Sequence, residues 1–179
     1  MAYDQIVPDD KDWTFVITEG CNQCSFQPYP ARETSSRLAE ATKYYEKALA
    51  NPNVSLRPSE GIWSPLEYSC HVRDVLELFN ERLTKMLTID DAQFDNWDQD
   101  QNAIEKDYEN QNPDEVLVEL RKNSELLSMA FSQVEEDDWS KRGLRSNGSR
   151  FTVETFAIYL MHDIEHHIYD IENQLHLGR

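Results

Sequence analysis

The sequence predicts an all-α fold, a four-helix bundle with an irregular N-terminal segment and a long crossover loop. Three observations support this prediction. Four segments carry apolar residues at helical spacing, two of these segments begin with strong helix-start signals, and no internal repeat is present. Amphipathic helices of this kind bury their apolar stripes against one another, and a length of 179 residues favours a single domain over residues 1–179.

The chain is expected to begin with an irregular N-terminal extension, residues 1–30. Within it, residues 13–18 form a β-prone run. The first helix is predicted over residues 33–50, where apolar side chains recur at helical spacing. It ends before Asn51 and Pro52, because proline cannot continue a helix.

The second helix has the clearest start signal in the chain. Ser64 suits the N-cap, Pro65 fits the first helical position, and Glu67 completes a capping box. The acidic stretch over residues 90–112 breaks the apolar pattern that follows. It is predicted to be a long crossover with one short helix around residues 103–108.

The third helix repeats this start logic, with Asn112 as its cap and Pro113 at its first position. A turn-rich loop or hairpin is predicted at residues 142–150, where glycine, serine and asparagine are concentrated. The fourth helix starts near Thr152 and is predicted to continue to about Gly178, with an apolar stripe that faces the core.

Composition and charge exclude several classes of partner. The formal net charge of −17 argues against nucleic acid, which requires a clustered positive face, and against an anionic membrane surface. No apolar run approaches the roughly 20 residues of a membrane-spanning helix, and no signal peptide is recognisable. Because three cysteines suggest no disulfide framework, the cytoplasm is the expected compartment. The expected partners are a small-molecule substrate and, through the flanks of the bundle, a second copy in a homodimer.

The histidines are the strongest candidates for chemistry. His162 and His166 stand four residues apart on the fourth helix, so their imidazoles share one face. His71 lies on the second helix. Taken alone, His71 fits a hydrogen-bonded core residue and the pair fits a surface position. Taken together, the three are predicted to hold one divalent metal ion and to leave coordination positions open, as catalytic sites require.

The sequence supports two other sets of metal ligands on the same helix less well, because their residue types or spacing fit a metal site poorly. His167 is the alternative partner of His162, but a five-residue separation places the two rings roughly 140° apart. The zinc-protease motif HExxH requires glutamate after the first ligand, and Asp163 stands there instead, with His176 as an additional histidine near the terminus.

Five further side chains are candidates for catalytic roles. Carboxylates close to a ligand histidine can hold it in one tautomer, and tyrosines can donate a hydrogen bond to a substrate. The carboxylates are Glu67, Asp74 and Asp170, and the tyrosines are Tyr159 and Tyr169. For all of them the alternative role is structural, as a cap, a solvated charge or a packing residue.

Cys21 and Cys24 have the spacing of half a structural zinc site, but no second CxxC completes it. Another histidine or Cys70 would be needed, and Cys70 points about 100° away from its neighbour His71. A redox pair is a further interpretation, although nothing basic lies close in sequence to lower a thiol pKa. Two reduced or loosely structural thiols are the preferred interpretation.

Three stretches resemble the DinB-like superfamily of metal-binding four-helix bundles: GIWSPLEYSCHVRDVLELFNERL, DNWDQDQNAIEKDY and RFTVETFAIYLMHDIEHHIYDI. The resemblance implies an up-down-down-up bundle that binds zinc or nickel. The ligand pattern of the family falls on His71, His162 and His166. The resemblance also implies a relation to S-transferases that use mycothiol or bacillithiol, and to the N-terminal domain of mycothiol-dependent maleylpyruvate isomerase.

The leading functional hypothesis is a metal-dependent thiol S-transferase. Three neutral imidazoles leave the charge of the ion uncompensated, so a coordinated low-molecular-weight thiol such as mycothiol would ionise near neutral pH and react with a small electrophile. A metal-dependent hydrolase of a small amide or ester would use the same acidity on water. A metal-binding or interaction module without turnover is the third hypothesis.

Overall fold

The computed structural model describes residues 6–7 and 11–175, and these residues are predominantly helical. The helices and strands are α1 (Val16–Glu19), α2 (Thr34–Leu49), α3 (Pro65–Thr88), β1 (Ala92–Phe94), α4 (Gln99–Glu105), α5 (Pro113–Ser132), β2 (Arg142–Arg145), β3 (Arg150–Thr152) and α6 (Val153–Leu175). The long helices α2, α3, α5 and α6 form the predicted four-helix bundle.

The bundle has an up-down-down-up order. Helices α2 and α3 each pack against both α5 and α6. Helix α2 runs antiparallel to α5, since Ser35 near its start contacts Ser128 and Glu46 near its end contacts Arg121. The start of α3 lies beside the end of α6, so this pair is antiparallel as well. Helices α3 and α5 run parallel, which is why a long crossover must connect them.

The helix-start signals of the sequence are confirmed. Ser64 accepts a hydrogen bond from the Glu67 backbone, and the Glu67 side chain accepts one from the Ser64 backbone, which closes the capping box of α3. Asn112 caps α5, with Pro113 at its first position. Helix α4 lies slightly earlier in the crossover than predicted, because Asp98 caps it.

Two local predictions are corrected. Residues 13–18 form a 3-10 turn (Trp13–Phe15) that leads into α1, in place of the β-prone run, and no described strand pairs with them. Asp12 starts this turn by accepting a hydrogen bond from the Thr14 backbone. Conversely, β1 lies in the crossover, where no strand was expected, and pairs in parallel with β2. The predicted hairpin at residues 142–150 is confirmed as the antiparallel pair β2–β3.

The core runs between the four long helices. Within the core, the rings of Phe79 and Phe156 stack with their centroids 4.4 Å apart. This contact joins α3 to α6. A smaller cluster around Trp63 and Tyr108 fastens the crossover to the start of α3. The N-terminal segment lies across α6 and places α1 against it. Among the described residues, no helix combines the length and the apolar composition that a membrane crossing demands.

Candidate metal centres

Helix α6 presents two pairs of potential metal ligands on two adjacent faces. His162 and His166 are one turn apart, and so are Asp163 and His167. Because a helix turns about 100° per residue, the second pair is rotated by about that angle from the first. The first pair faces the N-terminal segment, and the second faces α3. The two pairs therefore belong to two different clusters.

The first cluster, the His–Asp–His cluster, joins α3 to α6 and consists of His71, Asp163 and His167. Oδ1 of Asp163 lies 3.2 Å from Nε2 of His71 and 3.3 Å from Nε2 of His167. Donors around a tetrahedral zinc ion with bonds of about 2.1 Å are about 3.4 Å apart, so this spacing suits a divalent ion. Two imidazoles and one carboxylate are also a donor set that catalytic zinc sites use.

Neighbouring side chains hold both imidazoles in place. Nδ1 of His167 donates a hydrogen bond to Oδ2 of Asp170 over 2.9 Å, which directs Nε2 of the same ring toward the cluster. The His71 ring lies between two indoles, with its centroid 5.5 Å from Trp63 and 5.5 Å from Trp97. The hydrogen bond to Asp170 fixes the tautomer of His167, and the two indoles restrict the orientation of the His71 ring.

Charge holds the His–Asp–His cluster together when no ion is bound. Burial lowers the pKa of His167, but its hydrogen bonds to Asp163 and Asp170 outweigh burial and raise the pKa to about 9. Burial raises the pKa of Asp163, and the hydrogen bonds from His167 and His71 outweigh it and hold this pKa well below its usual range. Asp163 is therefore charged at neutral pH, and an ion that binds His167 must displace one of its protons.

The second cluster, the Cys–His cluster, joins the N-terminal segment to α6 and consists of Cys21, Cys24, His162 and His166. All four residues are buried, and their donor atoms lie within 4.8 Å of one another. Sγ of Cys21 is 3.7 Å from Nδ1 of His166. Both cysteines are free thiols.

Burial keeps the Cys–His cluster uncharged. It raises the pKa of Cys24 to about 11, so this thiol stays protonated near neutral pH in the metal-free protein. A protonated thiol is a poor nucleophile, which argues against the redox-pair interpretation. Burial and the neighbouring His166 lower the pKa of His162 to about 4, which leaves a neutral imidazole with a lone pair for a metal ion.

Both clusters border one cleft of about 720 Å³. The N-terminal segment, the crossover, the β2–β3 hairpin and α6 form its walls. Lys11, Arg145 and Tyr159 line it together with the ligand residues of α6. This volume falls within the usual range of small-molecule sites.

The structure divides the predicted histidine trio between two clusters. His162 and His166 lie together as expected, whereas His71 faces Asp163 and His167. The reason is helix phase: α3 packs against the face of α6 that carries the second pair. The sequence signal was present, because Asp163 and His167 are also four residues apart. In the sequence-based prediction Asp163 stands only at the glutamate position of HExxH, and His167 only as the alternative partner of His162. His176 lies outside the described residues.

Two of the other candidates belong to structural networks. Glu67 is fully buried, closes the capping box and pairs with Arg57. Asp74 is buried against Arg73 and accepts a hydrogen bond from Tyr108, which ties the crossover to α3. The hydrogen bonds of these two carboxylates join them to residues other than the ligand histidines, so the orienting role stays a prediction for them.

The remaining candidates lie nearer to the ligands. Asp170 accepts a hydrogen bond from an imidazole and orients it, which is the role predicted for this carboxylate. The imidazole belongs to His167, however, and not to His166. Tyr159 lines the cleft, and burial raises its pKa, so the hydroxyl keeps its proton. Tyr169 lies with its ring centroid 6.3 Å from that of His166 and packs against the core.

The fold and the two clusters define a class of protein: a four-helix bundle with potential metal ligands gathered on its last helix beside an open cleft. A family model described as the DinB superfamily matches residues 36–171, and the chain belongs to this superfamily. The membership predicted from the sequence is thereby confirmed. No match was found among curated proteins.

A solved structure supports the fold. The chain is similar to YfiT from Bacillus subtilis, which is described as a probable metal-dependent hydrolase with an unusual four-helix bundle topology. The TM-score is 0.71 and the sequence identity 15%, and the match covers 83% of this chain and 89% of YfiT. At this identity the likeness establishes the shared fold alone.

Proposed function

We propose that the protein is a metal-dependent hydrolase of small amides or esters, with the His–Asp–His cluster as its metal site. The observation that carries this proposal is the convergence of two imidazoles and one carboxylate at the wall of a cleft. Three protein ligands leave coordination positions open for water and substrate. When bound, zinc or nickel supplies Lewis acidity, which lowers the pKa of a coordinated water and polarises a carbonyl group.

The residues around the cluster have distinct tasks in this proposal. Asp163 contributes the one negative charge of the donor set, and Asp170 keeps His167 in a single orientation. Tyr159 retains its proton at neutral pH and donates a hydrogen bond to the oxygen of the scissile carbonyl. Arg145 places a positive charge in the cleft beside the Tyr159 ring, where it would attract an anionic group of the substrate.

Thiol S-transfer is the second candidate reaction for the same cluster. One observation favours it: Asp163 would neutralise part of the charge of a divalent ion. The ion would then lower the pKa of a coordinated water or thiol less than it would with three imidazole ligands. A free thiol has a pKa of about 8.5 against about 15.7 for water, so a thiol needs less acidification. The cleft of about 720 Å³ has room for a thiol and a small electrophile.

The test compares the wild-type protein with Asp163→Asn, and uses Asp137→Asn as the matched control because Asp137 is exposed and does not line the cleft. Each protein is stripped of metal, loaded with zinc or nickel, and assayed with p-nitrophenyl acetate and an acetylated p-nitroanilide. We expect metal-dependent hydrolysis that falls to background in Asp163→Asn and persists in Asp137→Asn.

A second assay separates the two reactions. Glutathione or mycothiol is added together with 1-chloro-2,4-dinitrobenzene, and consumption of the thiol is followed. Metal-dependent thiol consumption without hydrolysis would replace the hydrolase by the S-transferase. Stoichiometric metal binding without turnover in either assay would contradict both reactions and favour a binding module.

A further inference from the structure

The Cys–His cluster has no task in the proposed hydrolysis. It lies on a different face of α6 from the His–Asp–His cluster, and its two cysteines come from the N-terminal segment. We propose that Cys21, Cys24, His162 and His166 bind a structural zinc ion that fastens the N-terminal segment to α6. The proposal uses other residues than the proposed function does and stands independently of it.

The donor set and its spacing point to zinc. Two thiolates and two imidazoles form the closed, four-coordinate sets of structural zinc sites, which leave no position for a substrate. With bonds of about 2.3 Å to sulfur and about 2.05 Å to nitrogen, adjacent S and N donors of a tetrahedral ion are about 3.6 Å apart. Cys21 Sγ and His166 Nδ1 are separated by 3.7 Å. Binding releases the protons of the two thiols to solvent.

An unsatisfied atom supplies a second observation. His162 is 4% exposed, and its Nε2 is buried without a hydrogen-bond partner among residues 6–7 and 11–175. Buried imidazole nitrogens in folded proteins are nearly always paired with a donor, an acceptor or an ion. A cation held beside the two thiols supplies a partner for this ring.

The turn that carries the cysteines is held in a costly conformation. Gly20 has a φ of 72° and Ser25 has a φ of 64°, both in the left-handed region that only glycine adopts easily. The Cys21 backbone donates a hydrogen bond to the Phe26 carbonyl over 2.9 Å. An ion bound to both cysteines would hold this turn closed.

Aromatic side chains cover the cluster and connect it to the cleft. The Trp13 ring lies 5.1 Å from the ring of His162 and 5.0 Å from that of His166, and Phe26 lies 5.4 Å from His162. Trp13 and Lys11 also line the cleft. The ion would therefore help to determine where one wall of the cleft stands, although its four protein ligands leave no position for a substrate.

Metal analysis of the full chain tests the proposal. Zinc per chain is measured by inductively coupled plasma mass spectrometry in the wild-type protein, in Cys24→Ser and in Cys70→Ser. Cys70 is the matched control, since it is a buried cysteine outside the cluster. We expect Cys24→Ser to lose one equivalent of zinc and Cys70→Ser to lose none. Equal zinc in all three proteins would overturn the proposal.

Cobalt substitution tests the same site without a variant. Cobalt(II) bound to thiolates gives an intense sulfur-to-metal charge-transfer absorption, whereas cobalt bound to histidine and carboxylate does not. We expect the wild-type protein to show this absorption, and Asp163→Asn to retain it. Cobalt that binds without the absorption would exclude the cysteines as ligands, even if Cys24→Ser failed to fold. Loss of the His–Asp–His metal alone would count against the proposed function and leave the zinc proposal intact.

Discussion

One hydrogen bond decides which nitrogen of His167 can serve as a ligand. Its Nδ1 donates to Asp170, so Nε2 faces the His–Asp–His cluster. Asp170→Ala removes this acceptor, and we expect metal affinity at that cluster to fall about 10–100-fold, as loss of outer partners commonly does. Competition with a chromogenic chelator measures the change. Asp170→Asn keeps an acceptor oxygen and should recover part of the metal affinity. Equal metal affinity in Asp170→Ala and the wild-type protein would show that this hydrogen bond does not orient His167.

Asp74 represents a different kind of residue, a buried charge with a structural role. Its carboxylate accepts hydrogen bonds from Arg73 and Asn102, each over 2.9 Å, and from Tyr108. Burial raises the pKa of Asp74, but these hydrogen bonds outweigh burial. They hold the pKa below 3.8, the value of an unperturbed aspartate. A depressed pKa stabilises the folded state above the unfolded-state pKa, and this stabilisation is lost as the pH falls through the folded-state pKa.

The consequence for stability can be measured. Asp74→Ala removes the buried carboxylate that pairs with Arg73, whose guanidinium keeps its contacts with Gln111 and Glu119. We expect the free energy of unfolding to fall by about 3 kcal/mol at pH 7, the low end for a broken buried pair. Below the unfolded-state pKa of about 4, protons bind the unfolded chain in preference to the folded one, so the gap between the two proteins should narrow as the pH falls toward the folded-state pKa. Urea denaturation of both proteins at neutral and acidic pH provides the values. A gap that does not change with pH would mean that the charge of Asp74 contributes nothing.

At the level of elements, local signals located the starts of the helices and missed how the helices face one another. Ser64 and Asn112 cap the helices as predicted because a cap depends on residues within one turn. The pairing of His71 with Asp163 and His167 depends on the rotation of α6 against α3, which no local pattern encodes. The family resemblance gave the superfamily and the topology, whereas the ligand pattern that it implies, His71, His162 and His166, stays a prediction.

The N-terminal segment shows the same limit. The β-prone composition of residues 13–18 predicted extended backbone, yet the segment is helical where it packs on α6. β-propensity largely measures the fit to a neighbouring strand, and no strand lies beside this segment in the described chain. The CxxC spacing did indicate half of a zinc site. Its two possible partners, His162 and His166, are far away in sequence, so only the folded chain identifies them.

Glycine positions test how tightly the CNQC turn is built. Gly20 has a φ of 72°, and a Cβ there would approach the Phe26 carbonyl oxygen to 2.5 Å. Gly148 has a φ of 95° but open space around it, so it is the matched control for backbone strain. We expect Gly148→Ala to cost about 1–2 kcal/mol of stability from the left-handed conformation. Gly20→Ala should cost more and should also lower the zinc content, because the clash displaces the turn. If Gly20→Ala and Gly148→Ala lose the same stability in thermal denaturation, and Gly20→Ala keeps its zinc, the turn accommodates the added Cβ.

Properties of the whole molecule that depend on partners stay predictions. The homodimer, the cytoplasmic location and the absence of nucleic-acid or membrane binding follow from composition and from a net charge of −17. Exposed apolar side chains on α5, at Val118, Leu126 and Met129, would suit a contact between two copies. The solution mass by light scattering decides between monomer and dimer.

If both clusters bind metal as proposed, the stability of the folded molecule depends on metal. An ion that binds the folded chain alone stabilises it by about 2.7 kcal/mol when free metal is 100 times Kd. We therefore expect chelation to lower the melting temperature and added zinc to restore it. In Cys24→Ser zinc should act through the His–Asp–His cluster alone, and in Asp163→Asn through the Cys–His cluster alone.

The zinc-induced stabilisation of these two variants also shows whether metal binding at one cluster affects binding at the other. If the zinc-induced stabilisation of the two variants adds up to that of the wild-type protein within about 0.5 kcal/mol, the clusters bind independently. A larger wild-type gain would mean that an ion on one face of α6 orders the ligands on the other. The rings of His166 and His167, whose centroids are 6.0 Å apart, connect the two faces. Equal zinc effects in all three proteins would contradict both sites, since zinc would then bind elsewhere.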